Sequence, residues 1–363
     1  MYKKLTDWKH WPFYIFYFPV SYAWLWYYIK TRSLWFFTAS NPTLAFGGFE
    51  GEAKSEMYKQ LPSNLCPRSI YINADIPFED VTKQLNLSTI QYPFIVKPDI
   101  GMKGILFRKI EHEHQLQKYH EHVPVRYVIQ EFIDLPNEVS VFYCRMPNEQ
   151  KGCITAVIRK DLPEVKGDGR LTIRELMLKK YKIKKWLKSI ETQLGKTMDK
   201  VLAQSETFCL SHIANVYNGA QFVNLPHEID DKLLEIFDNI SHKNHFYYGR
   251  YDIKCASISH LKKGEFIILE FNGAGSVPNH ISTDSYTTIF SAYKEILMHW
   301  KWMYRISVYN NKKGFRYWSL LKGHRFLKNS KKHFDALKKL DKELSLNTNT
   351  TNAKTSLEEP VIS

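Results

Sequence analysis

Between residues 65 and 292 the chain alternates two patterns of apolar and polar positions. Short runs dense in β-branched and aromatic residues, at 70–72, 94–97, 105–109, 126–132, 139–144, 154–159 and 266–271, predict strands. Stretches with apolar residues every three or four positions, at 111–122, 172–178, 182–203 and 228–240, predict helices. Strands paired through short turns with helices interspersed imply an α+β fold rather than a doubly wound parallel sheet. Ahead of this region, residues 40–54 are rich in glycine and small side chains and predict a loop running into a helix over 51–61.

The ends of the chain follow other rules. Residues 11–29 carry no charge, are crowded with aromatics and are interrupted by Pro12 and Pro19. The stretch lacks the leucine- or alanine-rich run and small-residue cleavage site of a secretory signal. A spanning helix needs about 20 mainly apolar residues, whereas Trp11, Tyr14, Tyr17, Tyr22, Trp24, Trp26, Tyr27 and Tyr28 give this one the amphipathic rings of an interface. Lys3, Lys4, Lys9, Lys30 and Arg32 flank it and could pair with lipid phosphate. Three readings stay open: an aromatic helix buried on the main domain or on a second subunit of a homodimer, peripheral contact with an anionic membrane, or a span. Beyond Tyr293 the chain is basic and aromatic, and from Leu346 it is polar with few large apolar groups, which predicts disorder. The expected organisation is an aromatic helical N-terminal segment over 1–50, a main α+β domain over 51–295, a basic helical region over 296–345 and a disordered tail over 346–363.

With 363 residues a sizeable core is expected. Five cysteines, Cys66, Cys144, Cys153, Cys209 and Cys255, are scattered and odd in number, so neither a disulfide framework nor a zinc knuckle is suggested, and a cytoplasmic setting is expected. A net charge of +14 implies anionic partners, and nucleotide phosphate, lipid headgroups and nucleic acid all satisfy it.

Three stretches carry candidate chemistry. In Pro93-Phe-Ile-Val-Lys-Pro-Asp-Ile-Gly-Met-Lys-Gly104 a strand delivers Lys97 to its end, and Gly101 to Gly104 form a turn whose N–H groups can approach an anion. No P-loop or dinucleotide glycine pattern is present. Alone, the stretch reads equally as a hairpin with an exposed lysine. In Val128-Ile-Gln-Glu-Phe-Ile-Asp-Leu-Pro-Asn-Glu138, Glu131 ends a strand at a hinge, where the backbone of Phe132 and Ile133 could meet an adenine edge, and Glu138 could accept from ribose hydroxyls. Two strands joined by a polar loop would look the same. The third stretch is the most specific, Gly249-Arg-Tyr-Asp-Ile-Lys254 followed by Phe266-Ile-Ile-Leu-Glu-Phe-Asn-Gly-Ala-Gly-Ser276. Glu270 and Asn272 share a strand face, and Asp252 on a neighbouring strand would complete an all-oxygen set suited to Mg2+ or Mn2+. The competing structural reading is a strand end that caps the turn at Gly273 to Gly275.

In this order the motifs resemble the ATP-grasp superfamily, and in particular the D-alanine–D-alanine ligase and cyanophycin synthetase branch. The resemblance spans residues 51–293 and implies two α+β subdomains that grip ATP between antiparallel sheets. It implies that Lys97 holds the α- and β-phosphates, Glu131 marks the adenine hinge, Glu138 binds ribose, Asp252, Glu270 and Asn272 hold Mg2+, and Arg250 faces an acyl phosphate. Residues 165–176 are similar to a stretch of cyanophycin synthetases bordering nucleotide and substrate, which makes Lys160, Arg170 and Arg174 candidates for anion contact. Lys54 is the match for a further phosphate lysine, with Lys59 its rival. Two departures stand out: the α/β domain that precedes the nucleotide-binding part of D-alanine ligases is replaced here by the aromatic segment and the loop 47–52, and 211–220 shows no strict match.

The implied reaction is ATP-dependent activation of a small-molecule carboxylate as an acyl phosphate and its capture by an amine. A small-molecule kinase and a non-catalytic ATP-binding protein at a membrane are the competitors. The tail over 301–342 interleaves basic and aromatic residues, yet nucleic acid is not an expected partner. His112, His114, His120 and His122 crowd one predicted helix without a carboxylate or cysteine to complete a metal shell, and a solvated amphipathic helix is expected there.

Overall fold

A computed structural model describes residues 8, 11–180, 190–191, 194–211, 219–283 and 288–354, with side chains as far as 344. The fold is α+β. Its strands are β1 (Ser69–Ile72), β2 (Phe94–Pro98), β3 (Arg108–Ile110), β4 (Tyr127–Glu131), β5 (Asn137–Cys144), β6 (Cys153–Asp161), β7 (Glu164–Lys166), β8 (Thr207–Cys209), β9 (Gln221–Asn224), β10 (Tyr248–Cys255) and β11 (Phe266–Asn272). They form a four-stranded sheet in the order β1-β4-β2-β3, a five-stranded sheet in the order β11-β10-β5-β6-β9, and the pair β7-β8. The chain divides into two compact units, one of Met1–Arg68, Ile133–Arg159 and Phe222–Lys331, the other of Ser69–Phe132, Lys160–Gln221 and Lys332–Ser363.

In the first unit the five-stranded sheet has two unlike faces, because side chains alternate along each strand. Val139, Val141 and Tyr143 of β5 and Tyr251 and Ile253 of β10 join Leu233, Phe237 and Ile240 of the helix Asp231–Lys243 in one core. That helix starts where Asp230 caps it, its carboxylate accepting from Leu233 N at 2.9 Å. On the opposite face, Phe142 and Cys144 of β5 and Tyr248 of β10 pack with Phe36, Phe37, Phe46, Met303 and Ile306. Further along the same face the apolar cover stops, and Ser140 of β5 lies opposite Asp252 of β10.

The N-terminal segment forms two helices, Phe13–Tyr17 and Ser21–Thr31. One side of it is buried, through Phe16, Val20 and Ala23. Its rings meet those of the long helix Ile289–Lys312, with Tyr27 stacked on Tyr304 at 4.3 Å and Trp24 edge-on to Trp300 at 5.1 Å. The other side is open: Tyr14 is 84 %, Phe18 77 % and Phe13 64 % exposed. Among the described residues no helix is long and apolar enough to cross a membrane.

The second unit holds a core of Ile72, Phe94, Val96, Leu116, Tyr127 and Ile129, closed by Phe334 and Leu337 of the helix Leu320–Lys354. A smaller core gathers Val165, Ile173, Met177, Met198 and Leu210. The helix Ile173–Lys179 begins with a capping box in which Thr172 and Glu175 exchange hydrogen bonds.

Several expectations shift. The strand expected over 105–109 begins only at Arg108, because Leu106 turns the chain at φ +55. The helix Phe78–Leu87 and the short strands β7 to β9 were not foreseen. The helix expected over 51–61 is confined to Lys54–Tyr58. Of the helix expected over 182–203, residues 182–189 and 192–193 lie outside the described residues, while Gly195–Asp199 is a tight 3-10 turn entered at Gly195 with φ +51. The helix Leu320–Lys354 reaches into the tail expected over 346–363, of which 355–363 lie outside the described residues.

Candidate functional site

The polar end of the five-stranded sheet gathers the third motif. Antiparallel pairing sets Asp252 opposite both Ser140 and Glu270, and Arg250 opposite Asn272. Between Asp252 and Ile253 the pairing with β11 skips Leu269, a bulge that frees the Leu269 carbonyl to accept from the Tyr58 hydroxyl. Glu270 and Asn272 thus face the same way as Arg250 and Asp252, while Phe271 points into the core.

Asp252 is buried and its carboxylate is the hub. Arg250 donates to it as a fork, Nε to Oδ1 at 3.0 Å and Nη2 to Oδ2 at 3.1 Å. Asn272 Nδ2 donates to Oδ2 at 3.1 Å, and the Ser140 hydroxyl donates to Oδ1. Each carboxylate oxygen therefore takes at least two donors. Because Nδ2 of Asn272 is turned to Asp252, the amide's acceptor oxygen is turned elsewhere. Burial opposes the Arg250 charge, but the attraction and hydrogen bonds of Asp252, reinforced by Glu270 and Glu138, outweigh it and raise the guanidinium pKa. The remaining side of Arg250 meets the segment after β11: with the Asn279 amide turned so that its oxygen faces Nη1, it accepts at 2.7 Å.

Lys54, at the start of its short helix, lies 3.9 Å from Glu270, whereas Lys59 is exposed. Between the glycine loop and that helix, burial pushes the Glu52 carboxyl up to about 7, with Glu270 adding to the rise and Lys54 opposing it. The loop reaches this position because its backbone is stitched to the turn after β11, where Ala274 N donates to Gly47 O at 3.0 Å and Gly275 N to Gly48 O at 3.1 Å. Gly48 runs so close to Gly273 that a Cβ there would sit 2.9 Å from its Cα, and its φ of +70 likewise demands glycine. Asn41, wholly buried, pins the start of the loop: its Nδ2 donates to Gly47 O at 3.1 Å and Tyr248 O at 2.8 Å, and its Oδ1 accepts from Tyr247 N and Tyr248 N. Glu138 occupies the same sheet, opposite Lys254, whose Nζ donates to Leu135 O at 3.1 Å, and Ile133 begins this unit's middle segment.

The other sequence candidates belong to the second unit. Lys97 lies on β2, paired with Val128 of β4, and the turn that follows holds Gly101 and Gly104, the latter at φ +75. The helix Leu320–Lys354 fastens this turn: His333 Nε2 is 2.9 Å from Ile100 O, and Asp341 accepts from Leu106 N at 3.2 Å and Arg108 Nη2 at 2.7 Å. Glu131 ends β4, Phe132 lies under the Lys109 ammonium at 4.8 Å from its ring centre, and Lys160 is buried at the end of β6. Arg174 pairs with Glu191 and Asp199, and Arg170 donates its backbone N–H to Asp168. His120 is committed to the core, hydrogen-bonded to the Tyr127 hydroxyl at 3.0 Å and the Ile76 carbonyl at 2.8 Å. Residues 212–218 lie outside the described residues.

Ser140, Asn41, Glu52 and Asn279 gave no signal of their own in the sequence. The paired glycines at 47–48 and 273–275 were the visible clue that two loops meet closely.

No family model matches the chain, and no curated protein matches it. Solved structures of ligases do. A bifunctional glutathione synthetase from Pasteurella multocida is 15 % identical over 68 % of this chain and 35 % of its own, with a TM-score of 0.37. The ATP-grasp ligase PsnB, complexed with minimal precursor, is 13 % identical over 68 % of this chain and 60 % of its own, at 0.36. The VanG D-Ala:D-Ser ligase from Enterococcus faecalis is 13 % identical over 72 % of this chain and 61 % of its own, at 0.40. The chain thus spans between about a third and three fifths of the length of these three structures, and at such TM-scores it is similar to them and no more.

Proposed function

We propose that the chain is an ATP-grasp ligase that activates a carboxylate as an acyl phosphate and joins it to an amine, releasing ADP and phosphate. The observation that supports this reading is the convergence of Arg250, Asp252, Glu270 and Asn272 on one polar sheet end, around a saturated Arg–Asp fork. Three oxygen-bearing side chains, Asp252, Glu270 and Asn272, fit Mg2+ or Mn2+ better than a metal that favours nitrogen or sulfur. Asp252 can join such an ion by releasing one of its four donors. When bound, the ion supplies charge neutralisation on the transferring phosphoryl group.

The chain's own residues account for the rest. A substrate carboxylate oxygen attacks the γ-phosphorus and ADP leaves. The amine nitrogen then attacks the acyl carbon, phosphate leaves, and the nitrogen loses a proton. Arg250, kept cationic and held in orientation by Asp252 and Asn279, stabilises the charge that develops on the acyl phosphate. Lys54 stands beside Glu270 as a second cation, and Lys97, Gly101, Gly104, Glu131, Phe132, Ile133, Glu138 and Lys160 keep the nucleotide roles that the sequence resemblance implies. No side-chain nucleophile is required, because positioning and electrostatics carry phosphoryl transfer.

The test is an ADP-release screen over carboxylic acids with paired amines, run beside Glu270→Gln. An acid that stimulates wild type and not the variant is expected, with an amide as the product by mass spectrometry. Equal stimulation of both proteins removes the metal assignment, and a phosphorylated acid with no joined product makes the protein a kinase instead.

The exposed side of the N-terminal helices supports a second element of the reading, peripheral attachment to an anionic bilayer at the cytoplasmic face. Its rings stand out beside Lys30, whose ammonium lies 4.5 Å over the Trp26 ring, on a chain of net charge +14. Five free thiols fit a reducing compartment.

A further inference from the structure

Apart from the Arg250 cluster, the first unit holds another convergence of ligand-bearing side chains. His280 lies in the 3-10 turn Asn279–Ser282, and the helix Ile289–Lys312 carries Glu295 and His299, four residues apart and so on one face. One ligand atom from each falls within 4.8 Å of the other two. His280 Nε2 is 3.3 Å from Glu295 Oε2, and the centres of the two imidazole rings are 5.5 Å apart.

His299 is the telling residue. It is fully buried, at 0 % exposure, and among the described residues neither Nδ1 nor Nε2 has a hydrogen-bond partner. A neutral imidazole carries one donor and one acceptor, and burying both without partners is unfavourable. Phe142, whose ring stands edge-to-face at 4.3 Å, gives this histidine a packing neighbour and no acceptor. Beside the His280–Glu295 pair, the buried His299 ring brings a third ligand atom within reach of one ion.

We propose that His280, Glu295 and His299 bind one divalent transition-metal ion of the zinc class. Two imidazole nitrogens and one carboxylate oxygen are a ligand set for Zn2+ and a poor one for Mg2+, so this site differs in kind from the oxygen-only set at Glu270. The 3.3 Å between His280 Nε2 and Glu295 Oε2 equals the spacing, about 3.3 Å, of two ligands at tetrahedral angles on bonds of about 2.0 Å. Glu295 is 23 % exposed and gives the ion a way in and water a fourth position. The bound ion clamps the segment after β11 to the long helix, and that segment includes Asn279, the partner of Arg250. The clamp does not depend on the nucleotide reading, because its ligands are separate from it.

The full-length protein, stripped with chelator, is titrated with Zn2+ alone in excess Mg2+ and without nucleotide. One equivalent is expected by metal analysis, with a rise in thermal midpoint on binding and, for Co2+ in its place, the visible absorption of a tetrahedral ion. Glu295→Gln removes the ligand with least disturbance to the core, and His299→Phe preserves the packing while removing both nitrogens. Each is expected to weaken Zn2+ on the order of a hundredfold, since even outer-shell partners of metal ligands are worth about 10–100-fold. Folding of Glu295→Gln, the partly exposed position, is checked by circular dichroism. Absence of a bound equivalent in wild type overturns the proposal, as does unchanged stoichiometry and Co2+ spectrum in Glu295→Gln, which would assign the ion to the thiols instead.

Discussion

At Asp252 a carboxylate accepts hydrogen bonds from three side chains: Arg250 stands two residues away on the same strand, whereas Ser140 and Asn272 are brought in by strand register. The sequence reader can see that Glu270 and Asn272 share a face; that Ser140 lies across from Asp252 becomes visible only once β5 and β10 are paired. Glu52 is the residue whose environment makes a measurable claim. Its carboxyl is raised in the folded protein from an ordinary 4.5 to about 7, first by burial and then by Glu270. A carboxyl with a raised pKa binds more protons folded than unfolded between those values, so it subtracts from stability as pH climbs from about 4.5 through 7, and the whole penalty is present above that range. Urea unfolding midpoints measured without nucleotide or divalent ion are therefore expected to fall across this window in wild type. Glu52→Gln flattens that decline and leaves the variant the more stable protein at pH 8. Parallel pH profiles for the two proteins would remove Glu52 from the charge cluster.

Among the elements, the loop 41–49 shows how far a pattern of apolar positions can reach. The strands with long apolar runs, β2, β4, β5 and β11, were legible because each is buried in a core that demands such side chains. The brief strands β7, β8 and β9 carry mixed side chains and are held by pairing partners distant in sequence, so no local pattern announces them. The loop is harder still. It owes its place to backbone bonds with the turn after β11 and to the single amide of Asn41, a residue type that composition assigns to any turn. Asn41→Ala strands the amides of Tyr247 and Tyr248 and the carbonyl of Tyr248 in a buried place, while the Gly47 carbonyl keeps Ala274 N. The expected loss is about 3 kcal/mol of unfolding free energy, at the upper end for a buried group left without its partner. Urea titration measures it, and ADP release in the proposed reaction should fall with it because Glu52 and Lys54 follow this loop. A variant as stable and active as wild type would mean that the loop is held by other means.

For the whole molecule, the sequence left three fates open for the aromatic N-terminus, and the structure buries one side of it against the helix Ile289–Lys312 and leaves the other side exposed. The helices bury Phe16, Val20 and Ala23 while presenting Phe13, Tyr14, Phe18, Tyr22, Leu25, Trp26 and Ile29 outward. Periodicity alone could not separate these faces, since nearly every position in the stretch is apolar or aromatic. Scattered exposed apolar residues are ordinary on protein surfaces, whereas here seven fall within one short segment, which supports the proposed membrane contact. Its rings bear hydroxyl and indole groups suited to the headgroup region, and the neighbouring Lys30 and Arg32 suit lipid phosphate. Co-sedimentation with vesicles containing phosphatidylserine is accordingly expected for the full chain, and little with vesicles of phosphatidylcholine alone. Replacing Phe18 and Trp26 together by serine removes large apolar area from the exposed side only, so vesicle binding should fall at least about tenfold, the effect of roughly 1.4 kcal/mol of lost burial. Thermal stability should stay near wild type, because neither ring is in a core. Undiminished binding by the double variant would move the membrane contact elsewhere on the basic surface. A double variant that also loses stability would show that these rings are covered in the folded protein by a second copy, and its oligomeric state in solution would then change with the substitution.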